Sequence, residues 1–303
     1  MAFDRRTCVV PDGSKFEEKL IWTSGDVVIE NQVLLESGFR TDGRIFIGER
    51  VKIRGDLEAD GDIRVDLFST IEGHVASKGN VYIGEGTQIG GKLSLEGNLD
   101  VGKNVEITEG FEAKGWINIR SSIPLVVYLF IYLVELLKGG HSEEVEKILG
   151  ELDDSQMIPI SDIFFFIPNG SSMGQESVIN GHLYIGEKCK VSGNFLVKGN
   201  VYIGRGTQVH GAMRVTGKMT AEKDVSIEGD VESDEVIELG KCRVGGDLVA
   251  SKIVMTPGTV VNGVMHATEG IQFRTRRIRE MEDKVKRFKD NVDRVDEIAE
   301  LLK

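Results

Sequence analysis

Three groups of residues in this 303-residue chain have types and spacings that invite chemistry. Gly86–Lys92 reads GTQIGGK, which fills the first seven positions of a phosphate loop. In such a loop backbone N–H groups cradle phosphates and a lysine reaches them. The eighth position is Leu93, where a Ser or Thr hydroxyl should meet magnesium, so nucleotide binding is not expected. The histidines are His74, His141, His182, His210 and His266, and no two share the spacing that one metal ion would need. Cys8, Cys189 and Cys242 are odd in number and far apart, so neither a disulfide framework nor a zinc site is indicated. No Ser-His-Asp arrangement follows from spacing. The sequence therefore assigns no catalytic, cofactor-binding or metal-binding residue, and no cofactor or small-molecule substrate is expected.

The glycine of GTQIGGK has a different explanation. Gly55, Gly73 and Gly91 stand 18 residues apart. So do Gly25, Gly43, Gly61, Gly79, Gly97 and Gly115. After each glycine of the second series come two aliphatic residues one position apart: Val27/Ile29, Ile45/Ile47, Ile63/Val65, Val81/Ile83, Leu99/Val101 and Ile117/Ile119. Within a period the pattern recurs every six residues, as in Thr87/Ile89 and Leu93/Leu95. Apolar residues at i and i+2 are strand alternation with one face inward. A strand of three or four residues plus a corner uses six, and three such sides return the chain above its start. The expected fold is mainly β: a three-sided parallel β-helix in which each turn buries the apolar face of the next.

The phrase KGNVYIGEGTQIGG at Lys78 returns as KGNVYIGRGTQVHG at Lys198, an offset of 120. Leu183/Ile185, Cys189/Val191, Phe195/Val197, Val201/Ile203, Met213/Val215 and Val225/Ile227 continue the inward pairs, and the step shortens to 17 at Gly229, Gly246 and Gly263. This divides the chain into an N-terminal segment (1–22), a first β-helix half (23–120), an insert (121–176), a second half (177–273) and a tail (274–303). The phase at which the pattern resumes fits one continuous solenoid of ten or eleven turns, and two separate solenoids are the alternative. Val27 and Ile29 at the start, and Ile271 and Phe273 at the finish, are the candidate end-stacking residues.

The insert reads as a hydrophobic helix over about 123–138, too short to span a bilayer. Leu125, Val126, Leu129, Phe130 and Leu133, with Phe164, Phe165 and Phe166 further on, are candidate membrane or oligomer contacts; a cap on the solenoid is the third reading. In the tail Ile278, Met281, Val285, Phe288, Val292 and Val295 follow alternating spacings of 3 and 4, a short heptad series for a docked helix or a coiled coil. Outside the strands' inward face, Val28, Phe46, Arg64 and Tyr82 form one column, matched by Tyr184 and Tyr202. The formal charge of −12 argues against nucleic acid as a partner. The first residues lack the apolar core of a signal peptide, so an intracellular, cytoplasmic setting is expected.

Gly-x-aliphatic-x-aliphatic every 18 residues, as in GDIRV, GNVYI, GNLDV and GHLYI, resembles the bactofilins, polymer-forming cytoskeletal proteins, over about 25–120 and 178–273. The resemblance implies a right-handed β-helix that assembles with copies of itself, end to end, into nucleotide-free filaments, often at a membrane. A bactofilin typically has one β-helix between short tails, whereas this chain has two halves, an insert and a helical tail. Hexapeptide-repeat acyltransferases and the related carbonic anhydrases share the period and are the alternative. They need a histidine on an inter-subunit face, and only His141 lies outside the repeat. A non-polymerising solenoid scaffold at a membrane surface is the third reading.

Overall fold

The computed structural model describes residues 5–119 and 163–274. All regular structure there is strand, in three sheets that form the sides of a β-solenoid of about twelve turns. Sheet A has 14 strands, and sheets B and C have 12 each. The helix readings at 123–138 and 278–295 lie outside the described residues.

The inward pairs do what their alternation requires. Val27, Ile45, Ile63, Val81 and Leu99 stack strand on strand in sheet A, each at most 1% exposed. Burying one such side chain stabilises by roughly 1.5–3 kcal/mol, so the column is the main source of cohesion. Corner side chains add a second ladder. The Asp62 carboxylate accepts from Asn80 N–H at 2.7 Å, Asn80 Oδ1 from Asn98 N–H at 2.9 Å, and Asn98 Oδ1 from Trp116 N–H at 2.9 Å. Each side chain thus satisfies a backbone donor of the next turn, which the corner itself leaves unpaired. Close stacking also explains the corner glycines. A Cβ on Gly97 would sit 2.5 Å from the Gly79 carbonyl oxygen.

The two halves do not wind in one direction. In sheet A the strands of the first half run outward from Asp26–Ile29 to Ile117–Ile119 at one end. Those of the second run outward from His182–Ile185 to Ile271–Phe273 at the other. Strand pairing is parallel within each half and antiparallel where the halves meet, once in every sheet: Val9 opposite Phe166, Phe16 opposite Ile21, and Ser172 opposite Val178. The first half visits its sheets in the order A, C, B and the second in the order A, B, C. Reversed order and reversed axial travel cancel, so both halves coil with the same hand. A pseudo-two-fold axis relates them.

The stack is therefore continuous, but it is two windings joined base to base. The structurally matched repeat is Val10-Pro11-Asp12-Gly13-Ser14 with Ile167-Pro168-Asn169-Gly170-Ser171, an offset of 157. The phrase at an offset of 120 marks the same side in turns at different heights.

Two parts of the sequence division need correction. Thr7–Val10 and Lys15–Phe16, placed above in an N-terminal segment, are strands of the second half's base turn, paired in parallel with His182–Ile185 and Lys190–Ser192. Phe164–Ile167 and Ser172–Met173, placed in the insert, complete the first half's base turn beside Asp26–Ile29 and Leu34–Leu35. Each base turn thus takes strands from both parts of the chain.

Candidate assembly surfaces

At the outer ends the inward column runs out of partners. Ile117–Ile119 pairs only with Leu99–Val101, and Ile271–Phe273 only with Lys252–Met255, among the described residues. Side chains whose equivalents nearer the centre, Ile83 and Met255, are buried are here open: Ile119 is 71% exposed and Phe273 56%. Phe111, Ile117, Met265 and Ile271 are exposed beside them. A shallow cavity of about 420 Å³ at the first end is lined by Val101, Val105, Ile107, Phe111, Ile117 and Ile119.

The corner ladders stop at the same places. Trp116 follows Asn98 in one ladder and is 86% exposed; Val264 follows Asp247 in another and is 70% exposed. Neither side chain can accept an N–H from a further turn. A free strand edge beside exposed apolar groups is a template for pairing with another chain unless it is covered.

The structure redistributes the predicted contact residues. Ile271 and Phe273 lie in the terminal strand of the second half. Val27 and Ile29 do not lie at an end. Their strand has neighbours on both edges, and they are 0% and 1% exposed. The reason is the reversal, which places the first repeat of each half at the centre. Phe164, Phe165 and Phe166 are likewise not a free apolar patch. Phe165 points into the core, Phe166 is buried on the outer side, and Phe164 is half-buried. Leu125, Val126, Leu129, Phe130 and Leu133, and Ile278, Met281, Val285, Phe288, Val292 and Val295, lie outside the described residues.

The outward column of sheet A is longer than the sequence indicated. Tyr82, Arg64, Phe46, Val28, Phe166, Val9, Tyr184 and Tyr202 are direct cross-strand neighbours in that order and cross the central junction. Tyr184 and Tyr202 stack with ring centroids 5.1 Å apart. Arg44 covers Phe46 at 5.1 Å and binds the buried Asp26 carboxylate through Nη2 at 2.5 Å. That bond and the carboxylate charge raise the Arg44 pKa.

Several of the residues that invited chemistry make structural contacts. Gly86, at the start of GTQIGGK, has φ +70°, and its equivalents one turn to either side, Phe68 and Asn104, share that left-handed backbone. It is a corner, with Gln88–Ile89 as the next strand. His182 Nδ1 accepts from Asn200 N–H at 2.9 Å. His74 Nδ1 accepts from Lys92 N–H at 2.9 Å and also lies 3.7 Å from Glu109. One nitrogen cannot accept and donate at once, and the shorter contact makes Nδ1 an acceptor. Cys8, Cys189 and Cys242 are buried thiols. Burial pushes Cys8 up to about 12 and Cys242 to about 11, and raises Cys189. They are therefore protonated, unreactive core groups; Cys242 Sγ donates to the Glu222 carbonyl at 2.9 Å. Among the described residues no cluster of three or more metal-ligating side chains occurs, and no helix is long and apolar enough to cross a membrane. No protein-family model, curated protein or solved structure matches the chain.

Proposed function

We propose that this protein is a structural scaffold that assembles with copies of itself through its two solenoid ends, without nucleotide, as the bactofilins do. The observation that carries this reading is the pair of ends, each a strand edge without a partner among the described residues and flanked by exposed apolar side chains. Because the two halves run in opposite directions, any end-to-end joint that continues all three sheets brings strands together antiparallel. The central junction supplies an example of such a joint within one chain. In this reading the chain is not an enzyme, and the imidazoles of His74 and His182 are corner acceptors. Contact with a membrane surface through the apolar stretch around Leu125–Leu133 belongs to the same proposal, and liposome flotation with and without 123–138 tests it.

The decisive experiment is negative-stain microscopy with light scattering of the pure protein across salt and concentration. Elongated assemblies that grow with concentration are expected. Discrete particles of constant size under all conditions would overturn the proposal.

A further inference from the structure

The central junction is a second interface, distinct from the ends. Each base turn is shared: two of its strands come from one part of the sequence and the third from the other. Neither part can close its own base turn. The link between the parts, about 40 residues from Ile119 to Ile163, is far longer than the path it must cover. Its ends are six strand steps apart in sheet A, roughly 29 Å at about 4.8 Å per step, which about nine extended residues would span. Covalent linkage is therefore not what dictates the junction's geometry.

We propose that the junction is a self-sufficient interface between unlike partners: residues 5–119 and residues 163–274 hold each other without a peptide link, and each selects the other over a second copy of itself. The backbone alone does not discriminate, because the pseudo-two-fold makes the two sides alike. The side chains do. Phe165, from the later part, packs edge-on against Phe39 at 5.0 Å and lies 6.2 Å from Phe16, both from the earlier part. The residue equivalent to Phe165 under the pseudo-two-fold is Cys8. Two earlier parts would put Cys8 where Phe165 stands and leave a void beside Phe16 and Phe39. Two later parts would force a second Phe165 into the space Cys8 fills. One like pair is underpacked and the other overpacked, and close-packed interiors resist both. Specificity thus comes from what the wrong pair lacks or cannot fit.

The test uses the full chain. A specific protease site is introduced between Gly139 and Gly140, outside the described residues, and cleavage is followed to completion by mass spectrometry. The cut protein is then diluted, reconcentrated and examined by native mass spectrometry and gel filtration. The expected result is a one-to-one pair of unlike pieces that elutes as the uncut protein does. Free pieces, or pairs of like pieces, would overturn the proposal. In the same cut protein Phe165→Ala should raise the dissociation constant at least tenfold, whereas Phe273→Ala, at an outer end, should leave it unchanged. Equal dissociation constants for Phe165→Ala and the parent would also refute it.

Discussion

The centre and the ends of this solenoid are built from the same repeat and have opposite fates. At the centre, Val27 and Leu183 are covered, because a base-turn strand supplied by the other part of the sequence lies over each. At the ends, Ile119 and Phe273 finish equivalent columns in the open. A single winding has two unlike edges, one at its start and one at its finish. By joining two windings at their starts, the chain satisfies both starting edges internally and leaves two finishing edges. Edge exposure is thus concentrated at two related sites, which is what an assembling rod needs and what a solitary one would have to cover.

This contrast predicts where substitutions hurt. The largest effect belongs to the centre. Phe165→Ala removes the ring that joins Phe39 and Phe16 and should cost about 3–5 kcal/mol. Chemical denaturation checks it; a loss no greater than that of Phe273→Ala would erase the distinction between centre and end.

Next comes an alkaline effect, also at the centre. In the folded protein Cys8 keeps its proton to about pH 12, against an ordinary value near 9. Above that ordinary value the unfolded chain has lost a proton the folded chain retains. Stability is therefore complete below about pH 9 and declines as pH rises toward 12, by at most about 1.4 kcal/mol per pH unit for this thiol. Cys242 contributes in the same direction up to about 11. Melting temperatures from pH 8 to 10.5 should fall less steeply in Cys8→Ala than in the parent, and parallel curves would show the thiol to be irrelevant.

Along the flank, one corner is worse built than its neighbour. Phe68 and Gly86 share a left-handed backbone at equivalent positions, φ 57° and 70°. A bulky residue is strained there and glycine is not. Phe68 is also half exposed, so its burial offsets little of that strain. Phe68→Gly should stabilise by about 0.5–1 kcal/mol, seen as a raised melting temperature; a fall would mean that the ring's contact with the Gly86 corner outweighs the strain.

How much of this was legible in the sequence follows from what alternation encodes. The pairs from Val27/Ile29 to Leu99/Val101, and from Leu183/Ile185 onward, are inward in the structure because a period of two marks a face directly. Alternation does not encode strand direction, so the reversal was invisible to it. The signal that could have shown it is the matched Pro-Asp-Gly-Ser and Pro-Asn-Gly-Ser corners, each opening a half, which place Thr7–Val10 beside Phe164–Ile167 as equivalents. Phe164–Phe166 defeated the pattern for another reason. Phe166 faces outward yet is buried next to Val9 and Val28, so three aromatic residues in a row looked like a loose apolar patch. Val27 and Ile29 come first in the repeat but not first along the axis, so order in the sequence does not locate the ends.

The smallest effect on stability should come with the clearest effect on assembly. Ile119→Ser and Phe273→Ser act on side chains already 71% and 56% exposed. Little burial is lost within one copy, and each should shift stability by no more than about 0.5 kcal/mol. If the ends join copies, those same side chains become buried in the joint, and a hydroxyl there removes apolar contact at every repeat of the assembly. Changing one end leaves the other intact in every copy: if like ends join, each single variant stops at two copies, if unlike ends join it stops at one, and the double variant stops at one either way. Light scattering against concentration separates the three cases. Undiminished assembly in the double variant would move the contact away from the ends, to the outward column that runs from Tyr82 to Tyr202.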